Sequence, residues 1–207
     1  MVDNPRLVEF LQITMTHLST LIERWRNGDE NAAEAIYNLH KTRVYRLAYG
    51  CLSNNEDAEE AAQDALTYAL LNIIHFDEKR SQFTTWLHMI TISRCRDILR
   101  KRKMPTISLS EWLRSFAQKR PEKSTPESQN IEAEVKNSIW KAVQELSPPL
   151  REAIILRHWG AHTYQEIAEI VGCPLRTAQS RVRLAYGQLE KVLTPNHQKT
   201  MLKEISE

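Results

Sequence analysis

The sequence predicts an all-α protein in which two small helical domains are joined by a flexible linker. Three observations support this fold class. Apolar residues recur every three or four positions over long stretches, which is the period of a helix that packs on one side. The chain has only 5 glycines and few alternating β-branched runs. Between residues 104 and 130, prolines stand among Ser, Thr, Gln, Glu and Lys, a composition with too little apolar surface to form a core.

These patterns divide the chain into segments. Residues 1–26 are expected to form an N-terminal lead-in helix, and residues 27–103 the first helical domain, with breaks at 53–55 and near 77–81. Residues 104–130 are the linker, 131–194 the second domain and 195–207 a polar tail. A length of 207 residues is consistent with one or two domains.

The composition argues against several classes of protein. The three cysteines (Cys51, Cys95 and Cys173) are far apart and form no CxxC pair, so reduced thiols in a cytoplasmic protein are expected rather than a zinc site or a disulfide framework. No stretch approaches the roughly 18 apolar residues of a membrane span. Asp3 precedes any apolar run, which is unlike a secretory signal.

The net charge of +2 says little about partners, but its distribution says more. Residues 56–64 contain five acids and no base, whereas residues 94–103 contain six bases and one acid. Such asymmetry predicts two surfaces with different partners.

Residues 163–193 carry the pattern of a helix-turn-helix. Thr163 and Glu166 fit a capping box, in which each side chain hydrogen-bonds the other residue's backbone amide. Gly172 is placed to end the first helix at positive φ, and Pro174 to start the next. In the next helix an inward face is predicted at Leu175, Ala178, Val182, Ala185, Leu189 and Val192.

The outward face of that second helix predicts DNA binding. Arginine, glutamine, serine and threonine cluster near its start, and such a helix after a tight turn fits the major groove. Arginine can pair with guanine and glutamine with adenine. The alternative is a pair of packed helices with a basic face that only meets solvent. The outward residues are Arg176, Thr177, Gln179, Ser180, Arg181 and Arg183.

Residues 57–74 predict an amphipathic helix with an acidic outer face. Its inner side runs from Ala58 to Ile73 and is rich in alanine and leucine. The residues expected on the outer side are Glu60, Gln63, Asp64 and Thr67. Taken alone, an acidic helix face is usually only solvated.

The next predicted helix opens with Phe83-Thr84-Thr85-Trp86-Leu87 and ends in a basic run, residues 100–103. Cationic side chains beside aromatic ones suit a nucleic-acid backbone with unstacked bases. The alternatives are that Trp86 is a core residue and that the basic run is a solvated helix end, where cations suit the helix dipole. The polar and basic positions expected away from the core are His88, Arg94, Arg96, Arg100 and Lys101.

Together the two blocks resemble one family. Asp57-Ala58-Glu59-Glu60-Ala61-Ala62-Gln63-Asp64 is similar to region 2.2 of bacterial sigma-70 factors, and Phe83-Thr84-Thr85-Trp86-Leu87 with Asp97-Ile98-Leu99-Arg100 is similar to regions 2.3 and 2.4. Leu146-Ser147-Pro148-Pro149-Leu150-Arg151-Glu152, Tyr164-Gln165-Glu166-Ile167-Ala168 and Thr177-Ala178-Gln179-Ser180-Arg181 resemble region 4. The plan of two domains without further ones resembles the extracytoplasmic-function group.

The resemblance implies roles for three sets of residues. Core RNA polymerase would be bound, through its clamp helices, by Glu60, Gln63, Asp64 and Thr67. The opened −10 strand would be held by Lys79, Arg80, Ser81, Thr85, Trp86, His88, Arg94, Arg96, Arg100 and Lys101. The −35 element would be contacted by Arg176, Thr177, Gln179, Ser180, Arg181 and Arg183, with the apolar side of the domain on the polymerase flap. The resemblance further implies transcription initiation on promoter DNA in the cytoplasm at the nucleoid, no catalysis, no cofactor, no membrane insertion, and control by an anti-sigma factor.

Two other functions compete with this interpretation. A free-standing helix-turn-helix regulator would need a dimer seam to read two half-sites, and it would leave residues 57–102 without a role. A metal-dependent nuclease would need a ligand cluster, but the 7 histidines are scattered without an HExxH motif or a Gly-rich phosphate loop. His158 and His162 are four residues apart, yet a turn at Gly160 is expected to separate them.

Overall fold

The computed structural model describes residues 17–103 and 131–192, which we call the first and second modules. The first module contains helix α1 at residues 17–26, α2 at Glu30–Leu52, α3 at Asn55–Leu71, a short 3₁₀ turn at Ile73–His75, and α4 at Phe83–Lys103. The second contains α5 at Ile131–Glu145, α6 at Pro148–His158, α7 at Tyr164–Val171 and α8 at Leu175–Val192. The segments 1–16, 104–130 and 193–207, including the expected linker and tail, lie outside the described residues.

Local capping determines where α2 and α3 begin and end. The Asp29 side chain accepts a hydrogen bond from the Asn31 amide at the start of α2, and Asn54 does the same for Asp57 in α3. Ser53 ends α2 in the left-handed conformation with φ 59°. The break predicted at residues 53–55 is therefore confirmed, because side-chain caps satisfy the free amides at the second helix start.

Helix α1 is an integral part of the first module. Leu21 and Ile22 are buried in its core, and the Trp25 indole donates to the Leu70 carbonyl at 2.8 Å. Arg26 donates to the carbonyls of Ile73 and Phe76. The described part of the lead-in segment thus braces the connection between α3 and α4.

The helix-turn-helix of the second module has the predicted local geometry. Thr163 and Glu166 form both hydrogen bonds of the capping box, and Gly172 ends α7 with φ 71°. Ala178, Val182, Ala185 and Leu189 are buried as expected. Leu175 and Val192, predicted to face inward, are exposed instead, because these end turns of α8 lie beyond the surface that covers the middle of the helix.

The two modules pack against each other through a shared core. A single cluster of buried residues includes Leu47, Ile92 and Ile98 of the first module and Ile154, Leu156 and Ile167 of the second. Across the described residues, no helix is both long and apolar enough to cross a membrane. The cysteines are free thiols, and Cys51 and Cys95 are buried in the shared core.

Candidate functional site

The acidic side of α3 is an open surface. Its inner positions, such as Ala58, Ala65 and Ala69, are buried against α2 and α4. Glu60, Gln63, Asp64 and Thr67 are all exposed on the outer side, as their helical spacing predicts.

The exposed stripe continues into apolar residues that sequence reasoning did not single out. Leu71 is 74% exposed and Ile74 is 76% exposed, at the end of the helix and just beyond it. A groove of about 430 Å³ lies beside Gln63, between α2 and α3. The whole surface is therefore acidic at one end and apolar at the other.

An aromatic cluster anchors the start of α4. The Phe76 and Phe83 rings meet edge to face at 5.2 Å, and Trp86 lies 5.3 Å from Phe76 and 5.8 Å from Phe83. Trp86 is half-buried, so one part of its ring packs in the core and the rest meets solvent. The cluster positions the loop before α4, where Lys79 and Arg80 are exposed and Ser81 is half-buried.

The basic residues along α4 fall into two groups. Arg100 and Lys101 are exposed at its end. Arg94 lies over the Tyr68 ring of α3 at 4.9 Å and is paired with Asp97 at 3.9 Å. Arg94 is thus held against α3, whereas the end of α4 is open to solvent.

Thr85, His88 and Arg96 lie at the contact between the modules. The Thr85 hydroxyl donates to Glu166 at 3.3 Å, and His88 Nδ1 lies 2.7 Å from His162 Nε2. Thr85 and His88 are each 1% exposed. His88 was expected away from the core face, and it is buried because the second module covers that face.

Arg96 makes the most extensive polar contact across this interface. Its guanidinium donates to both carboxylate oxygens of Glu152, at 3.0 and 2.6 Å, and to the Val171 carbonyl at 3.2 Å. The hydrogen bonds to Glu152 raise the pKa of Arg96. Such a two-pronged pair is stronger and more directional than a single ion pair.

Burial keeps the histidine pair neutral. Burial, together with the neighbouring His162, lowers the pKa of His88 to about 3. Burial also lowers the pKa of His162, although Glu166 opposes the shift. His162 Nδ1 lies 3.7 Å from the Glu166 carboxylate, so we place the proton of His162 on Nδ1 and let His88 Nδ1 donate to His162 Nε2. Within the described residues, no group of three or more His, Cys, Asp or Glu side chains could hold a metal ion.

Apolar and aromatic contacts extend the interface. The rings of Tyr49, Trp140 and Trp159 are stacked in sequence, with successive centroids 5.3 Å apart. Gly50 of α2 faces the second module so closely that an added Cβ would lie 2.8 Å from both Ile155 and Trp159. The absence of a side chain at Gly50 therefore lets α6 approach α2.

The outward face of α8 borders an open concavity of about 590 Å³. Arg176, Gln179 and Arg183 are exposed, and Thr177 and Ser180 are half-buried. Arg181 is not part of this concavity. It lines a separate cleft of about 650 Å³, together with Arg96 and Arg100 of α4. The structure therefore brings Arg181 close to the basic end of α4, whereas the other five residues predicted to contact the −35 element line the concavity.

Sequence reasoning missed the residues of the second module that cover α4. Glu152 is a buried acid on α6, whose other buried residues are all apolar. His162, Trp140 and Trp159 offered no comparable pattern. Their partners are distant in the sequence, so no helical period connects them.

Comparisons with known proteins agree with this architecture. The family model for Sigma-70 region 2 matches residues 36–104, and that for Sigma-70, region 4 matches residues 136–189. The ECF RNA polymerase sigma factor SigW of Bacillus subtilis is 30% identical over 83% of this chain and 94% of its own length. The ECF RNA polymerase sigma-E factor of Haemophilus influenzae is 27% identical over 84% of this chain and 94% of its own.

A solved structure is similar as well. The sigma factor RpoE of Bartonella quintana, in complex with the anti-sigma factor NepR, matches 77% of this chain and 94% of its own, with a TM-score of 0.58 and 25% identity. The two family models match most of each described module, in the same order along the chain. This chain belongs to the ECF RNA polymerase sigma factors of the sigma-70 family.

Proposed function

We propose that this chain directs core RNA polymerase to promoters and starts transcription there. The observation that carries the proposal is the presence, on one chain, of an open acidic face on α3 and an open basic and polar face on α8. The first suits a protein partner and the second suits the major groove. Membership of the sigma family supports the same assignment.

The polymerase-binding surface is assigned to Glu60, Gln63, Asp64 and Thr67. These side chains share one exposed side of α3, where they are free to meet the clamp helices. The flap is assigned to the apolar side of the second module. A protein that directs polymerase to promoters acts at the nucleoid in the cytoplasm. We propose no catalytic activity for this chain.

Two sets of basic and polar residues are assigned to promoter DNA, one to the opened −10 strand and the other to the −35 element. The opened −10 strand is assigned to Lys79, Arg80, Ser81, Thr85, Trp86, His88, Arg94, Arg96, Arg100 and Lys101, a set that combines cations with the half-buried indole of Trp86. The −35 element is assigned to Arg176, Thr177, Gln179, Ser180, Arg181 and Arg183.

Control by an anti-sigma factor is part of the proposal. The similar RpoE structure from Bartonella quintana is described as a complex with an anti-sigma factor. A pull-down from the native cell, probed for an inhibitor as well as for polymerase subunits, tests this point. Recovery of polymerase alone, under conditions where the chain is inactive, would argue against an inhibitor.

Run-off transcription with purified core polymerase tests the main proposal. The wild-type chain should bind core polymerase and direct initiation from a specific promoter. Asp64→Ala should weaken core binding by removing one charge from the α3 surface, whereas Glu169→Ala removes an exposed charge from the second module and should leave it unchanged. Tight sequence-specific DNA binding by the chain alone, without polymerase binding, would instead identify a free-standing regulator.

A further inference from the structure

The cleft that Arg181 shares with Arg96 and Arg100, which we call the arginine cleft, has the composition of a site for a small ligand. These three arginines face one acid, Glu152. Apolar side chains complete the wall, among them Leu99, Pro148 and Pro149. The volume of about 650 Å³ lies within the range of sites for small organic ligands, which combine an apolar wall with a few polar groups.

Two of the three guanidinium groups already bind an acid, but not equally well. Arg96 donates to both carboxylate oxygens of Glu152, and that carboxylate is buried. Arg100 is paired with Asp97 at 2.8 Å, and its side chain is 73% exposed. An ion pair that is open to water contributes little free energy, so Arg100 can turn to a stronger acceptor at small cost.

Arg181 is half-buried and has no acid or carbonyl partner within the two described modules. Arg26 and Arg157 are buried to a similar degree, and each donates to a backbone carbonyl. A charged group that loses water without gaining a partner costs free energy. Arg181 therefore offers its hydrogen-bond donors to an anion that enters the cleft from outside.

We propose that the arginine cleft binds a nucleoside polyphosphate, with the phosphates on Arg100 and Arg181 and the base against Leu99 and Pro149. Guanidinium groups bind phosphate oxygens in pairs and also stack on planar rings. The apolar wall gives a base a contact surface that a bare phosphate leaves unused. One nucleotide suits a cleft of this size, whereas a nucleic-acid strand requires a groove that follows several successive phosphates.

The charge of the cleft selects for an anion as well. Three arginines face two acids when Asp97, the partner of Arg100, is counted with Glu152, so positive charge remains in excess. A cleft concentrates such a field, which favours a ligand with several negative charges over a neutral one. Arg100 belongs to the first module and Arg181 to the second, so the bound ligand contacts both.

Isothermal titration calorimetry of the full free chain with ATP, in the absence of divalent cations, tests the proposal. Arg100→Gln and Arg181→Gln each remove one charge from the cleft, on α4 and on α8. Each should weaken ATP binding by about ten- to a hundredfold, because hydrogen bonds to charged groups are among the stronger ones. Arg183→Gln is the matched control, since it removes the same charge from α8 but lines the other concavity, and it should bind ATP like the wild type.

Partial ligands test which chemistry the cleft recognises. Adenosine lacks the phosphates and tripolyphosphate lacks the base, so each should bind more weakly than ATP. Tripolyphosphate that binds as tightly as ATP would overturn the assignment of a nucleotide. A short single-stranded DNA that binds more tightly than ATP, with the same loss in Arg100→Gln and Arg181→Gln, would make the cleft a nucleic-acid site and would also overturn it.

Three further results would contradict the proposal. The wild-type chain might release no heat with about 1 mM ATP. Arg183→Gln might weaken binding as much as Arg181→Gln, which would indicate unspecific attraction to a basic helix. Arg100→Gln might leave binding unchanged, which would exclude a ligand that contacts both modules. Far-ultraviolet circular dichroism checks that the variants are folded. The titration uses the free chain, so its outcome does not depend on whether the chain directs polymerase to promoters.

Discussion

Acidification should open the interface between the modules, because it is built around a neutral histidine pair. His88 is the deeper member, with a pKa lowered to about 3 from an ordinary value of 6.5. A group whose pKa is lowered in the packed form binds more protons in the open form. The packed form is therefore fully stable above about pH 6.5 and loses stability as the pH falls below that value.

The size of the effect follows from the pKa of His88. Between about pH 7.5 and about pH 5.5, an open form with an ordinary histidine takes up nearly one proton, while the packed form takes up almost none. The free energy of closure falls by about 1.4 kcal/mol, which is a tenfold shift toward the open form. His162 adds to the shift in the same direction, because burial lowers its pKa as well.

The other charged groups around the pair modify this effect without reversing it. His40 and Arg43 of α2 lie near His88 and disfavour its protonation. Glu166 of α7 favours protonation of His162, and Arg43 disfavours it. Arg157 donates to the His162 carbonyl at 2.9 Å and so contacts the pair from the second module. Burial remains the largest cause of the lowered pKa for both histidines.

Small-angle scattering and near-ultraviolet circular dichroism can follow opening between about pH 7.5 and about pH 5.5. The radius of gyration should rise, and the signal of the stacked Tyr49, Trp140 and Trp159 rings should fall, while helix content stays constant. His88→Gln should flatten the pH profile. His158→Gln is the matched control, because the pKa of His158 is also lowered, to about 4, but its partner Tyr186 lies in the same module. If His88→Gln left the dependence of the radius of gyration on pH unchanged, protonation of His88 would not be the cause of opening.

Three further predictions concern the second module. Arg181→Ala should reduce the dependence of run-off transcription on the −35 sequence while core binding, measured by gel filtration, stays intact; loss of core binding would assign Arg181 to a different surface. Leu156→Ala should lower the free energy of unfolding by about 2–5 kcal/mol in urea titration, because Leu156 is fully buried in the shared core and a cavity would remain. Gly172→Ala should cost about 1 kcal/mol through its φ of 71° and not through a clash, since nothing lies within 4 Å, and an asparagine at this position should recover part of the loss in thermal melts.

Much of the fold was predictable because its signals are local. The capping box of Thr163 and Glu166, the turn at Gly172 and the break at residues 53–55 each depend on a few neighbouring residues, and each was found where predicted. The errors at Leu175 and Val192 have a common cause. A helical period identifies one face of a helix, but it does not show how far a neighbouring helix covers that face.

The candidate site was predictable to a lesser extent. The exposure of the α3 face and of most of the α8 face followed from helical periodicity, whereas the roles of those residues stay predictions. The burial of His88 could not have been predicted, because the group that buries it belongs to the other module. For the same reason, the sequence did not indicate that Arg181 shares a cleft with Arg100.

The amino-acid sequence by itself determined the helices, their caps, the two modules and the charge on each face, because these depend on residues within one or two helical turns. Only the tertiary structure decided that the modules pack together and that Glu152, His162 and Glu166 cover the α4 surface. The three polar contacts that do so join residues 56, 74 and 81 positions apart. Contacts over such separations arise from the complementary shape and charge of folded surfaces, and no local pattern in the chain encodes them.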